Sequence, residues 1–491
     1  MFTFIIRLIQ EKLSLRSTVH RGGVYMDVYE VIRDLIENEN LPEGYLMPPS
    51  RILAEQLGLS RSTLMKTYGL LTQNQFIESR QGSGTRVQKR SVIPEQRSDF
   101  SQQYPGLSGF GKSFLENADH LIPSSGNTLA FTPGLPPVDI FPIGQWQKLT
   151  NEYWRNIRSA DLNYSISSGL DSLKQSLCQY LRLSRRMICD PEQVVVVSGS
   201  LQSLFLLGSV LVENGDPVIL ENPTFPNVAS IFRSLRAKIL TVEGSGDGMD
   251  TDSLDLHSGK GAKVVHCTPS SQYPIGGKMS LEKRLKLIRW AEENSAFIIE
   301  NDYEHEINNW QDHRDSIFSL DSGNRTVFLG TFNRILHPSI RLGYMILPPA
   351  LIPAVKALQM HSHRFVPQSL QVVMTHFIDR NLIYRHVRRV IEEATERKKQ
   401  FSEQFLKNFP DSEFSICSSA SGGFHLLVDL PSKIQQDMKL VQMLAKKQIS
   451  VHSLSQCYLG SQVRNGLIVG YSCVGKAIMA QNIQRMAAIL G

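Results

Sequence analysis

Val327-Phe-Leu-Gly-Thr-Phe-Asn-Arg-Ile-Leu-His-Pro-Ser-Ile-Arg-Leu-Gly-Tyr344 is the stretch on which the reading of the fold turns. It opens as a short apolar strand, Val327 to Leu329, and turns through Gly330 into a polar loop. Arg341-Leu-Gly-Tyr344 then leads into a second apolar run, Met345 to Leu347. Runs of the same kind precede it at Val194–Val197, Pro217–Leu220, Ala262–Val265 and Ala296–Ile299. They are short and largely apolar at successive positions, which suits strands buried on both faces. Helix-like segments such as Leu201–Val212 and Leu281–Asn294 lie between them. This alternation predicts an α/β sheet, largely parallel, with sites at the strand ends. From Ile352 the pattern turns mostly helical. It then gives Gly423-Phe-His-Leu-Leu-Val-Asp429 and a last helix from Lys476, which predicts a smaller C-terminal subdomain.

Residues 24–90 follow a different grammar. Val28, Ile32, Leu35 and Ile36 give one amphipathic helix. Ser50 is the expected N-cap of a second, with Ile52, Leu53, Ala54 and Leu57 inward and Gly58 as its end. Ser60 is the expected N-cap of a third, with Leu64, Tyr68 and Leu71 inward and Arg61, Ser62, Thr63 and Lys66 outward. A tight turn followed by a helix whose first turn carries short polar and basic side chains is helix-turn-helix grammar. Phe76–Arg80, Gln81-Gly-Ser-Gly84 and Thr85–Val87 then read as strand, turn, strand, a wing with Arg80 and Arg86 flanking Gly82, Ser83 and Gly84. Pro49-Ser-Arg-Ile-Leu-Ala-Glu-Gln-Leu-Gly-Leu-Ser-Arg-Ser-Thr63 and Arg80-Gln-Gly-Ser-Gly-Thr-Arg-Val87 resemble the GntR winged-helix family. That resemblance implies a double-stranded DNA operator as partner. It places Arg51, Ser60, Arg61, Ser62, Thr63, Lys66, Arg80, Gly82, Ser83, Gly84 and Arg86 as the DNA-binding set.

The stretch from Gly330 to Tyr344 resembles the cofactor-lysine segment of fold-type I pyridoxal-phosphate (PLP) enzymes. The form it matches is the G-T-F-S-K-x-L-x-P-x-x-R-x-G-Y of MocR/GabR transcriptional regulators. The resemblance extends through Thr132–Pro142, Tyr164 with Gly169 and Leu173, Asp190–Gln193 and Ser198-Gly-Ser-Leu-Gln202. It implies a fold-type I body, a large mostly parallel sheet domain with a small subdomain, behind the N-terminal winged helix. It further implies that Gly199, Ser200 and Leu201 form a phosphate cup with Arg341, that Phe225 stacks on the cofactor ring and that Tyr303 meets its hydroxyl. Phe225 and Tyr303 suit an aromatic core equally well.

Two departures stand out. Arg334 occupies the lysine position, and a guanidinium with a pKa above ~12 has a neutral fraction below about 10⁻⁵ at pH 7, so it cannot supply the amine of an internal aldimine. Asn301 occupies the position of the aspartate beside the pyridine nitrogen, while Asp302 is expected to point to the other face of the strand. Lys278 lies in a different loop, Gly276–Ser280. The family's Glu-Phe-Arg-Tyr is Glu306-Ile-Asn-Asn309 here, and its His-Gln pair is Ser271-Gln272. The expectation is a DNA-binding regulator whose aminotransferase-like body has lost covalent PLP, has no catalytic residue and acts in ligand sensing or dimerisation. The alternative is an active PLP-dependent aminotransferase or a PLP-sensing regulator. In the leading reading Asn301, Tyr303, Arg334 and Arg341 face PLP bound non-covalently, another small anionic or phosphorylated effector, or no ligand.

The 491 residues suggest roughly three domains. We read them as residues 1–23, a weakly ordered extension; 24–90, the winged helix; 91–126, a linker rich in Ser, Gln, Gly and Pro in which Phe110, Phe114 and Leu115 are docking candidates; and 127–491, the body. A net charge of +6 permits a polyanionic partner. The six cysteines form no Cys-x-x-Cys or zinc spacing, so reduced thiols, no metal and a cytoplasmic location are expected. No signal peptide or membrane span is read, and a homodimer is expected from the resemblance.

Overall fold

The computed structural model describes residues 2–14, 23–38, 40–80, 83–88, 106–122, 130–308, 315–410, 414–417, 423–460 and 464–490. The chain divides into two compact units, residues 1–106 and 107–491.

The first unit contains helices α1 (Thr3–Ser14), α2 (Val24–Glu37), α3 (Ser50–Leu57) and α4 (Arg61–Gln73). They are followed by β1 (Ile77–Arg80) and β2 (Gly84–Val87), paired antiparallel with Ile77 opposite Val87. Val28, Ile32, Leu35, Leu53, Leu64, Leu71 and Phe76 form its core. The start of the chain corrects the expectation of a weakly ordered extension. Ile5, Ile6 and Ile9 lie on one helical face, and α1 buries them against α2 and α3. Two details of α3 also differ. Pro49, not Ser50, is its N-cap, and Ile52 is exposed, whereas Leu53 and Ala54 are buried.

The second unit begins with α5 (Gly109–Glu116), inside the stretch that the sequence predicts to be a linker. It is seated on the body. Phe114 packs edge-on to Phe205 at 6.0 Å, Ser230 Oγ donates to the Asn117 carbonyl at 2.9 Å, and the Ile122 N–H donates to Asn227 Oδ1 at 2.9 Å. Of the three docking candidates Phe114 makes this contact, while Phe110 and Leu115 are exposed. A short helix with one half-buried ring and one buried serine carries little periodicity, so its docking was not legible.

There follow α6 (Ile143–Asn156), α7 (Asp171–Arg185), β3 (Val194–Val197), α8 (Ser200–Leu211), β4 (Pro217–Asn222) and α9 (Pro226–Ser234). Next come β5 (Lys238–Ser245), β6 (Gly248–Met249), β7 (Val264–Cys267), α10 (Leu281–Glu293), β8 (Phe297–Asn301), α11 (His305–Asn308), α12 (Ile317–Leu320), β9 (Thr326–Thr331) and β10 (Gly343–Ile346). The eight strands order as β3-β10-β9-β8-β7-β4-β5-β6, parallel except for β10 and β6. β5 escaped the sequence reading because Lys238, Thr241 and Glu243 interrupt it and only Val242 is fully buried. Both faces of the sheet are covered. Val194, Val196, Phe328 and Tyr344 pack into one core, and Val195, Val197, Val327, Leu329 and Met345 pack into the other. That period of two within continuous apolar runs is the pattern of a doubly covered sheet.

The chain closes with α13 (Ile352–Ser362), α14 (Gln368–Asp379), the long α15 (Leu382–Asn408), β11 (Ser415–Ile416), β12 (His425–Asp429), α16 (Asp437–Lys446), β13 (His452–Ser453), β14 (Gly466–Gly470) and α17 (Lys476–Leu490). The last four strands form a small sheet, β11-β12-β14-β13, whose core includes Phe401, Phe405, Leu426 and Met479. Among the described residues no helix is long and apolar enough to cross a membrane.

Candidate functional site

The first unit presents the start of α4. Gly58, left-handed at φ 65°, ends α3 and lets the chain turn within two residues. Ser60 then caps α4, accepting the Thr63 N–H at 3.1 Å. The inner face of α4 is fixed by Tyr68, which donates to the Pro48 carbonyl at 2.6 Å, and by Thr67, which donates to the Tyr25 carbonyl at 3.0 Å. Arg61, Ser62 and Lys66 are left exposed and Thr63 half-buried. Lys66 lies 5.8 Å from the Tyr25 ring centre. Arg51 is exposed on the first turn of α3. The wing arginines are engaged locally. Arg80 pairs with Glu78 at 3.2 Å, and Arg86 donates to the Gly44 carbonyl at 2.8 Å. The Arg80 guanidinium holds Glu78 below the usual carboxylate range. Ser83 and Gly84 are exposed, and Gly82 lies outside the described residues. A helix start with free N–H groups, hydroxyls and flanking cations suits phosphate oxygens.

In the second unit, β10 runs antiparallel between β3 and β9, with Gly343 opposite both Val197 and Thr331. Its first residue therefore lies beside the C-terminal ends of its neighbours, where ligands gather in such sheets. A cavity of about 170 Å³ opens there. Gly199, Ser200, Leu201, Phe225, Asn301, Tyr303, Arg334 and Arg341 all line it. The sequence reading missed Thr224, Val228, His266, Thr268, Tyr273, Thr331 and Asn333, which complete its wall. His266 left one signal, an imidazole inside the apolar strand β7.

One end of the cavity is the start of α8. Gln202 Oε1 accepts from both the N–H and the hydroxyl of Ser198 at 2.7 Å, which fixes the turn. Arg341, held at φ 49°, directs Nη2 to within 3.4 Å of Ser198 Oγ. Asn333 ties the two sides together, donating Nδ2 to the Ser198 carbonyl at 3.4 Å and accepting the Leu342 N–H at 3.2 Å.

Deeper in, at the end of β8, Asn301 Nδ2 lies 3.2 Å from His266 Nε2. Burial pushes the His266 imidazole down to about 4, so it is neutral at pH 7. Asp302 turns to the opposite face, as strand alternation requires. There it pairs with Arg185 and accepts from Ser270 Oγ at 3.0 Å, and Glu300 lies 3.7 Å from Arg284. Tyr303 donates its hydroxyl to the Ser271 carbonyl at 3.0 Å, and Phe225 packs edge-on to Tyr273 at 5.2 Å.

Arg334 closes the opposite side. Its guanidinium lies 5.3 Å from the Tyr303 ring centre and donates Nη1 to the Gly134 carbonyl. Gly134 has φ 73°, and a Cβ there would lie 1.4 Å from Nη1, so only glycine permits this approach. Glu304 is buried nearby. Burial raises its carboxyl to about 7 against the opposing pull of Arg334.

These residues fit a phosphate-bearing ring at the α8 end, but among the described residues the cavity wall includes no lysine and hence no amine nucleophile. Lys278 is not among the lining residues.

Residues 139–467 match the aminotransferase class I and II family, and residues 24–87 match the gntR family of bacterial regulatory proteins. The probable rhizopine catabolism regulatory protein MocR of Rhizobium meliloti is 28% identical over 466 residues, covering 94% of this chain and 93% of that protein. The pyridoxine biosynthesis transcriptional regulator PdxR of Corynebacterium glutamicum is 25% identical over 446 residues, covering 90% of each. An archaeal alanine:glyoxylate aminotransferase of known structure shares the fold of the body, with a TM-score of 0.69 at 21% identity over 78% of this chain and 99% of that one. The chain therefore belongs to the aminotransferase class I and II family, and the GntR winged helix in front of that fold makes it a MocR/GabR-type transcriptional regulator.

Proposed function

We propose that this regulator reads a small anionic or phosphorylated effector in its aminotransferase-like cavity without a covalent bond, and that it acts on its operator as a homodimer. The observation that carries the reading is Arg334, a permanently charged guanidinium at the place where the family's resemblance puts an amine. The cavity keeps the anion-binding end, formed by Ser198–Ser200, Asn333 and Arg341. Neutral Asn301 supports the same reading, since it carries no charge to hold a ring nitrogen protonated. Effector and operator are then linked only if the two conformations of the body bind the effector unequally.

The test is an absorbance spectrum of the purified full chain, before and after adding PLP, removing the excess and treating with borohydride. The expected result is no retained near-visible band and no pyridoxyl adduct on any lysine. A band that borohydride fixes to a lysine would overturn the reading.

A further inference from the structure

We infer that the cavity selects a ligand carrying two anionic groups on an uncharged ring: a phosphorylated heteroaromatic carboxylate. This rests on the non-covalent reading of the same cavity. The phosphate end is the start of α8, a helix of twelve residues, with the Arg341 guanidinium beside it. A helix start alone selects no ligand, and the ring and the far end add the selectivity.

At the ring edge, Asn301 is 6% exposed, and its Oδ1 has no hydrogen-bond partner among the described residues. A buried acceptor without a donor is costly; with the His266 proton on Nε2 the carboxamide turns over, Oδ1 accepts from that N–H, and Nδ2 is freed to donate to an unprotonated ring nitrogen. Its neighbour His266 is fully buried and offers no countercharge, so a cationic ring would be desolvated here without compensation. The nearest carboxylate in sequence, Asp302, faces away and is paired with Arg185.

At the far end, the Arg334 guanidinium gives one of its five N–H groups to the Gly134 carbonyl. Its planar fork matches a carboxylate, where a lysine would have matched an aldehyde. Glu304, the acidic group in its field, balances that charge only in part at neutral pH because burial keeps a large fraction of it protonated. An aldehyde at this position forms no covalent bond with the guanidinium and accepts through a single oxygen, whereas a carboxylate meets its geometric complement.

Titration calorimetry on the full chain at pH 7.5 tests this with three probes: inorganic phosphate, pyridoxal 5′-phosphate and its oxidised 4-carboxylate analogue. The carboxylate is expected to bind at least about tenfold more tightly than the aldehyde, and both more tightly than phosphate. Arg334→Gln is expected to erase the preference for the carboxylate while retaining phosphate-dependent binding. Arg334→Lys retains the charge without the fork and is expected to keep only part of the preference. Equal affinity for aldehyde and carboxylate, an unchanged preference in Arg334→Gln, or binding of phosphate alone would each overturn the inference. Binding of none of the three would do the same. In those cases the non-covalent reading stands unless borohydride traps a lysine adduct, so the two failures are distinguishable.

Discussion

Arg334 and Asn301 line the cavity where the family resemblance puts a lysine and an aspartate, and a guanidinium and a neutral amide can hold a ligand there without forming a covalent bond to it. Both were legible in the sequence. The glycines, Pro338 and Tyr344 around Arg334 carry the resemblance on which that placement rests, and strand alternation alone sends Asp302 to the Arg185 side. His266 was not legible, since a histidine inside an apolar strand reads the same whether it faces a core or a cavity. Glu221 shows a different consequence of burial at this scale. It is 1% exposed, accepts from the N–H and hydroxyl of Thr268 at 3.0 and 2.6 Å, and is still pushed up to about 7. The folded state therefore holds its proton more tightly than the unfolded chain. The associated stability is present below about pH 4.5 and is lost as pH rises through about 7. Glu221→Gln removes this titration. Urea unfolding at pH 5 and pH 8 is expected to show the variant gaining on the wild type, by up to about 3 kcal/mol, at the higher pH. A difference independent of pH would refute the burial account.

At the scale of elements, β10 is the strand that assembles the site, since it enters the sheet against the direction of β3 and β9 and carries Arg341 to their C-terminal ends. Its packing against β9 is close. Gly330 faces Tyr344, and a Cβ on Gly330 would meet that ring at 2.3 Å. Gly330→Ala is expected to destabilise the body by about 1–3 kcal/mol, because a fully buried ring has no room to move. Thermal unfolding followed by near-ultraviolet circular dichroism would show it, and an unchanged midpoint would mean that the two strands separate freely. The sequence revealed β3, β4, β7, β8, β9 and β10 because burial on both faces gives each a short continuous apolar run. It concealed β5, α1 and α5 for the opposite reason, since each buries only a few side chains and owes its place to neighbours distant in sequence.

At the scale of the molecule, a net charge of +6 is small, and DNA binding has to come from local charge rather than the overall field. Arg51, Arg61 and Lys66 are exposed at or near the starts of α3 and α4, whereas Arg80 and Arg86 already hold internal partners. Arg61→Ala is accordingly expected to weaken operator binding by roughly tenfold and to lower the steepness of its salt dependence by about one counterion. Fluorescence anisotropy across a salt series measures both, and wild-type affinity in the variant would remove Arg61 from the contact set. In the body, the connection from Thr331 to Gly343 has a further consequence. Arg334 and Arg341 both sit on it, with the Leu342 N–H pinned to Asn333 between its ends. A ligand that grips both arginines is therefore a crosslink within one loop. It shortens the free contour of the chain there and takes conformational entropy out of the two strands the loop joins, so occupancy can be registered as stiffness without any atom having to travel far.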